Sequence, residues 1–148
     1  MADHSRQQVV DAVKTALTGL STTGARVFDF PVRPLEAATE LPGICVYFNS
    51  DEAVLVTIAA PALYQRSAEL VVLGAAQLNS QVDRTLNDIG KEVEIALAAG
   101  LTVGGHDLEF IYTGSELERE PGEKEYGTIT VRFSVQIFTA AGAPDVLT

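Results

Sequence analysis

The regular alternation of apolar and polar side chains over residues 127–137 constrains the fold of this chain most strongly. Apolar residues occupy every second position from Ile129 to Ile137, and threonine, arginine, serine and glutamine lie between them. Because successive side chains of a strand point to opposite faces, this segment is predicted to be a strand with one buried and one polar face. Such a strand is typical of an antiparallel sheet that is covered on one side only.

Two other segments have the apolar spacing of amphipathic helices. Residues 3–20 carry one such stripe, and Ser5 with Gln8 has the pattern of a capping box at its start. Residues 80–99 carry the second stripe, and Gly100 is expected to end that helix. The two stripes consist of Val9, Val13 and Leu17 in the first helix, and Val82, Leu86, Ile89, Val93 and Leu97 in the second.

The remaining apolar segments are short and rich in β-branched or aromatic residues, which favours strands. They comprise residues 25–30, 44–49, 54–58, 64–73 and 107–113. Residues 49–52 are predicted to form a turn, and residues 140–148 a loosely held tail. Residues 64–73 also contain good helix formers, but Val71, Val72 and Gly74 favour a strand.

The order of these elements predicts an α+β fold. Helix, strands, helix and strands follow one another without an internal repeat or a linker. We therefore expect a single domain over residues 1–148, with an antiparallel or mixed β-sheet and two helices packed on one face. With 148 residues, 47% of them hydrophobic, the chain can form a core without disulfides or metals.

The single cysteine and the polar N-terminus indicate the compartment. Cys45 lies in an apolar run with Ile44 and Val46, so we expect a buried thiol and no internal disulfide. Residues 1–8 are polar, and no stretch approaches the roughly 20 apolar residues that span a bilayer. We therefore expect a protein of a reducing cytosol without a signal peptide or a membrane partner.

The charge balance argues against tight nucleic-acid binding. Ten basic residues stand against twenty acidic ones, and the net charge is −10. Tight binding requires clustered lysine and arginine side chains that neutralise phosphates, and here the basic residues are dispersed. The composition is compatible with a surface past which nucleic acid slides without being held.

The sequence predicts neither catalysis nor a cofactor. Its only histidines are His4, near the N-terminus, and His106, in a glycine-containing turn. No nucleophile elbow, zinc-binding pair or phosphate-binding loop is present. We therefore predict no catalytic residue, no metal site and no cofactor.

An acidic segment precedes the alternating strand. Pro121 and Gly122 in its middle predict a hairpin turn. A solvated hairpin and a protein-contact arm are both consistent with its mixed charges, whereas a glycosidase-like acid pair would need a partly desolvated cleft. The charged residues of this segment are Glu116, Glu118, Arg119, Glu120, Glu123, Lys124 and Glu125.

The chain resembles a family of virion proteins over nearly its whole length. The matching phrases are the helix of residues 6–20 ending in Leu20-Ser21-Thr22-Thr23-Gly24, the phrase Leu41-Pro42-Gly43-Ile44-Cys45-Val46-Tyr47, Arg66 with Glu69 and Leu70 before the long helix from Val82, the hairpin phrase Thr113-Gly114-Ser115-Glu116, and Gly127 with Val131-Arg132-Phe133-Ser134-Val135. On these residues the chain is similar to the tail terminator proteins of long-tailed bacteriophages, the minor tail protein U family.

This resemblance implies a structural role at the head-proximal end of a phage tail. Members of the family form a ring, usually hexameric, that caps the tail tube, stops its polymerisation and presents a surface to head-completion or neck proteins. DNA passes through the lumen without specific binding. The implied location is the virion, assembled in the cytoplasm of a bacterial host.

Two sets of residues are the predicted contact sites. Edge strands pair readily with neighbouring chains, and we expect the strands of residues 25–30 and 64–73 to lie at sheet edges. The candidate subunit-interface residues are Arg26, Phe28, Phe30, Tyr64, Arg66 and Glu69. The acidic segment of residues 116–125 is the candidate arm for contacts with the tube or the head.

Two other functions remain open on the sequence. Another neck, tail-completion or baseplate component would have a similar size and a similar α+β composition. A small-ligand-binding or enzymatic α+β domain would require a pocket with convergent polar groups, and the sequence shows no obvious set of such residues.

Overall fold

The computed structural model describes residues 3–29, 41–58, 60, 62–118 and 126–148. Within them the chain forms two helices and eight strands. In chain order they are α1 (Ser5–Leu17), β1 (Val27–Asp29), β2 (Gly43–Thr57), β3 (Leu63–Gln77), α2 (Val82–Leu97), β4 (Leu101–Val103), β5 (His106–Leu108), β6 (Phe110–Glu118), β7 (Tyr126–Ala140) and β8 (Ala143–Leu147).

The main sheet has the strand order β1-β2-β3-β7-β6, and β8 pairs with the far end of β7. β1 runs parallel to β2, and the other pairs are antiparallel, so the sheet is mixed. β4 and β5 form a separate two-stranded hairpin. The predicted α+β fold is confirmed.

The alternating strand lies next to the middle of the sheet and supplies its apolar face. Ile129, Val131, Phe133, Val135 and Ile137 of β7 are all buried. Their partners on β3 continue the same face, since Leu70 lies opposite Phe133 and Val72 opposite Val131. The buried stripes of α1 and α2 belong to the same apolar cluster, which confirms that both helices cover this face.

Small residues bring α2 close to the sheet. A Cβ atom on Gly74 of β3 would lie 2.6 Å from Cγ2 of Ile89, and one on Gly90 of α2 would lie 2.9 Å from Cδ1 of Ile129. Both distances are shorter than real carbon–carbon contacts, so a side chain at either position would require its isoleucine neighbour to move. The glycine in the middle of α2, which costs about 1 kcal/mol in helix propensity, is explained by this contact.

The prediction of a turn at residues 49–52 is wrong, because β2 continues through them as one strand. The pairing of β2 with β3 shifts between Phe48 and Ser50, so Asn49 forms a β-bulge. The bulge changes the phase of the side chains, and Asp51 lies opposite Ala68 on the helix-covered face. The polar residues therefore mark a change of phase within a strand and not its end.

The prediction of a loose C-terminal tail is also wrong. Thr139 pairs with Leu147 and Ala140 with Ala143, which attaches β8 to the end of β7. Leu147 is buried in the main apolar cluster. The segment is also held by two contacts with distant parts of the chain, since the backbone N–H of Ala141 donates to the carbonyl oxygen of Ala62 (2.7 Å) and Nε2 of Gln8 donates to that of Asp145 (2.6 Å). Such long-range contacts leave no periodic pattern in the sequence.

The proposed edge position of residues 64–73 is wrong. β3 lies between β2 and β7, and it is paired with both strands along nearly its full length. Tyr64, Arg66 and Glu69 therefore cannot join a neighbouring chain by backbone pairing. β1 is at an edge, as predicted for residues 25–30, but it covers only Ile44 to Val46 of β2.

Candidate interaction surfaces

Two of the candidate interface residues, Arg26 and Phe28, lie just before and within β1. Arg26 donates from Nε to the carbonyl oxygen of Pro42 (2.7 Å) and from Nη2 to that of Thr22 (3.3 Å), so it joins two segments of its own chain. Phe28 is partly buried beside a small apolar cluster that contains Cys45. Phe30 lies outside the residues that the structure describes.

That small cluster lies on the sheet face away from the helices. Cys45, Ala75 and Leu41 form its buried part, and Phe28, Leu73 and Tyr126 pack against them. Cys45 is fully buried, as the sequence predicts for a thiol that packs as a small hydrophobic residue.

Arg66 takes part in an ion-pair cluster on the helix-covered face. Its Nη1 lies 3.0 Å from Oδ2 of Asp51, and its Nε donates to Oγ1 of Thr139 at 2.9 Å. Nε of Arg6 on α1 lies 3.5 Å from the same Asp51 oxygen. The Asp51 and Arg66 side chains are only 8% and 17% exposed, so these contacts connect α1 to β2, β3 and β7 inside one subunit.

Glu69 belongs to a second ion-pair group, on the polar face of the sheet. Arg132 of β7 lies between Glu69 of β3 (3.2 Å) and Glu116 of β6 (3.1 Å). The Arg132 side chain is 36% exposed and that of Glu116 is 73% exposed, so solvent screens both pairs. A solvent-exposed groove of about 320 Å³ adjoins this group, lined by Ser50, Glu52, Ser67, Glu69, Thr113 and Ser134 among others.

The acidic segment is described only at its start. Glu116 and Glu118 lie on β6, at its exposed end. Arg119, Glu120, Glu123, Lys124 and Glu125 lie outside the described residues. The assignment of this segment as a contact arm therefore stays a prediction.

The histidines lie in ordinary structural positions. His106 is exposed at the start of β5. His4 is the N-cap of α1, and its Nδ1 accepts a hydrogen bond from the backbone N–H of Arg6 at 3.1 Å. The predicted capping role of Ser5 is wrong, because Ser5 is the first helical residue and its hydroxyl is buried without a hydrogen bond to any described group. Burial, followed by the positive charges of Arg6 and Arg66, lowers the pKa of His4 below its ordinary value of 6.5.

This lowered pKa predicts a pH-dependent contribution of the cap. The unfolded chain binds a proton at His4 more tightly than the folded chain does, so stability is lost as the pH falls through 6.5 towards the folded-state pKa. Asparagine can accept the same hydrogen bond without titrating. We expect the wild type to lose more stability between pH 7.5 and 5.5 than the His4→Asn variant, as measured by urea denaturation. Equal losses in the two proteins would contradict this role of His4.

Two apolar surfaces were not predicted from the sequence. The first is the apolar arm, residues 53–58, at the end of β2 and just beyond it. Its side chains are exposed whether their positions are odd or even, as Val54 (61%), Leu55 (48%), Val56 (48%) and Ile58 (95%) show. The helices cover the opposite end of the sheet, so the side chains at this end of β2 are exposed to water on both faces of the sheet.

The second surface is the edge groove, which lies between α2 and β6. Its volume is about 360 Å³, and its lining includes Gly90, Lys91, Ile95, Tyr112, Leu117 and Ile129. Ile95 is 66% exposed, Tyr112 45% and Leu117 36%. Tyr112 also packs edge-on against Phe133, with ring centroids 6.0 Å apart, which fixes one wall of the groove to the core.

Both surfaces present large apolar side chains to solvent. The histidines, carboxylates and single cysteine of the described segments form no group of three that could hold a metal ion. Neither groove includes a histidine among its lining residues. Within the described chain, no helix is both long enough and apolar enough to cross a membrane.

Comparisons with known proteins show a likeness to a chain of a solved virion structure. No family model matches the sequence, and no curated protein matches it. Among solved structures, the chain is similar to one in the "Virion of native gene transfer agent (GTA) particle", with a TM-score of 0.54. The identity is 19%, and the match covers 92% of this chain and 92% of that one. The two chains share a fold over almost their full lengths.

Proposed function

We propose that this protein is a structural virion protein whose copies form a ring on the end of a phage tail tube. The ring stops tube polymerisation and presents the surface to which head-completion proteins bind. The observation that carries the proposal is the fold shared with a gene transfer agent virion chain over 92% of both chains. A gene transfer agent is a phage-like particle, and the sequence resemblance to tail terminators independently suggests the same class of assembly.

The surfaces of the chain also support an assembly role. The apolar arm and the edge groove expose large aliphatic and aromatic side chains of the kind that protein interfaces bury. The net charge of −10 is consistent with a lumen through which DNA passes without being held. A non-enzymatic role follows from this proposal, since a cap needs only to bind the tube end and block the addition of further tube subunits.

Electron microscopy of tail tubes tests the proposal directly. Purified protein is mixed with polymerising tail tube protein from the same source and imaged in negative stain. Tubes of limited length with a ring at one end are the expected result. Tubes that grow to the same length as without the protein, in the presence of the tail-tip initiator, would refute termination. Binding to portal or neck complexes instead of tubes would favour another joining role in the virion.

The acidic segment provides a mutational test of ring docking. Deleting residues 118–124 is expected to leave the domain folded, because it removes only the last paired position of β6, Glu118 opposite Thr128, and six residues that follow β6 in the sequence. We expect the deletion to reduce capping of tubes at least about tenfold, since charges at an interface rim set specificity and association rate. A variant in which the same residues are replaced by glycine and serine controls for loop length. Normal tail length and infectivity with both variants would exclude this segment from docking.

A further inference from the structure

We infer that copies of this chain associate head to tail, with the apolar arm of one copy packed in the edge groove of the next. This inference rests on the proposed self-assembly and identifies the two surfaces that make it. It replaces the interface predicted around β3, whose backbone is already paired on both sides inside the subunit along nearly its full length. The partner is a second copy of this chain.

The two surfaces lie at opposite edges of the same sheet. β6 ends the strand order on one side and pairs with β7 alone among the described strands. At the other side, β1 covers β2 only as far as Val46, so the described part of β2 beyond that residue pairs with β3 alone. A contact between opposite edges is heterologous, and heterologous contacts generate rings when the rotation closes.

The strand directions suit this contact. Three successive antiparallel pairings, β2 with β3, β3 with β7 and β7 with β6, make β2 and β6 run in opposite directions. A neighbour placed beside the first copy in the same orientation therefore brings its β2 antiparallel to β6. The outer edge of β6, and that of β2 beyond Val46, pair with no described strand. Backbone hydrogen bonds between the two copies can therefore add to the contact.

The chemistry of the two surfaces is complementary. Residues 53–58 contain no charged side chain, so burying them desolvates no ion. The walls of the edge groove present Ile95, Tyr112 and Leu117. Lys91 and Glu94 also line the groove, and both residues are exposed. An uncharged arm in an apolar groove with a charged rim has the anatomy of a specific protein interface.

Ile58 and Ile95 are the best positions for a test because neither is needed for the monomer core. Ile58 is 95% exposed and Ile95 is 66% exposed, so lysine at either position removes little packing within one chain. Ile58→Lys places a charge on the arm, and Ile95→Lys places one in the groove. Val146→Lys is the matched control, since Val146 is 53% exposed on β8 and belongs to neither surface.

Association of the purified chain alone is measured by light scattering after gel filtration, without tail tube protein. We expect the wild type and Val146→Lys to form closed oligomers, and each of the other two variants to raise the apparent Kd at least about 30-fold. All variants should keep the wild-type melting temperature within a few degrees. Wild-type protein that stays monomeric, or an Ile95→Lys variant that assembles like wild type, would overturn the inference.

Mixing the two defective variants separates a head-to-tail contact from a symmetric one. The Ile95→Lys copy has an intact arm and the Ile58→Lys copy an intact groove, so the mixture has one functional contact and should form dimers and nothing larger. A contact between the arm of the Ile58→Lys copy and the groove of the Ile95→Lys copy would bring two lysines together, and their like charges repel each other. If the arms instead paired with each other, the mixture would form no dimer that contains both variants. These outcomes test the subunit contact only. A chain that assembles as expected but leaves tail tubes uncapped would refute the proposed function and leave the subunit contact intact.

Discussion

Replacing Phe133 with aspartate is expected to abolish cooperative folding of the domain. Phe133 is 2% exposed in the middle of β7, in the apolar cluster that joins both helices to the sheet. Removing a buried phenylalanine side chain alone costs about 3–5 kcal/mol, and an unpaired buried carboxylate adds several more. That sum is comparable with the total stability of a typical domain, about 5–15 kcal/mol. We expect no cooperative transition in thermal or urea denaturation monitored by circular dichroism.

Gln136→Asp on the same strand is the matched control for this substitution. Gln136 is exposed on the polar face of the sheet, where its side chain accepts a hydrogen bond from Gln65. The control introduces the same carboxylate into the same strand, and its stability is expected to change by less than about 1 kcal/mol. A soluble, cooperatively melting Phe133→Asp protein would contradict the assignment of the two faces of β7.

The sequence predicts the elements whose periodicity is set by one continuous buried face. In α2 every buried position follows a single period, and in β7 every buried position except Thr128 does, so the faces of both elements could be assigned before the structure. In β2 the bulge at Asn49 changes the phase, and a polar stretch that is part of a strand resembles a turn. The place of β3 in the middle of the sheet depends on pairings with β2 and β7 that are distant in sequence, and local patterns do not specify them.

The two apolar surfaces could not be recognised from the sequence for a related reason. The apolar arm has valine, leucine and isoleucine in both phases, which is also the pattern of a strand buried on both faces. Whether such a strand is buried depends on how far the helices extend over the sheet, and that is a property of the tertiary structure. Ile95 lies on α2 outside the buried stripe and was an available signal, because a large aliphatic residue on the exposed face of a helix is a candidate contact residue.

Removing the Asp51 carboxylate is expected to have the second-largest effect on stability. Asp51→Ala leaves Arg66 with the hydroxyl of Thr139 as its remaining hydrogen-bond partner in the described chain, although its side chain is only 17% exposed. Removing one partner of a buried ion pair costs about 3–5 kcal/mol, and the partial exposure of Arg66 reduces our expectation to about 2–4 kcal/mol. Urea denaturation at neutral pH measures the difference from wild type.

Two further variants separate this cost from the general effect of losing a salt bridge. Glu116→Ala breaks an arginine–carboxylate pair of almost the same length, 3.1 Å against 3.0 Å, but Glu116 is 73% exposed, so we expect a change of less than about 1 kcal/mol. Removing both charges with Asp51→Val and Arg66→Met leaves no unpaired ion between these two positions, and most of the lost stability should return. If the double variant is no more stable than Asp51→Ala, the loss comes from altered packing at the bulged part of β2 and not from an unpaired Arg66.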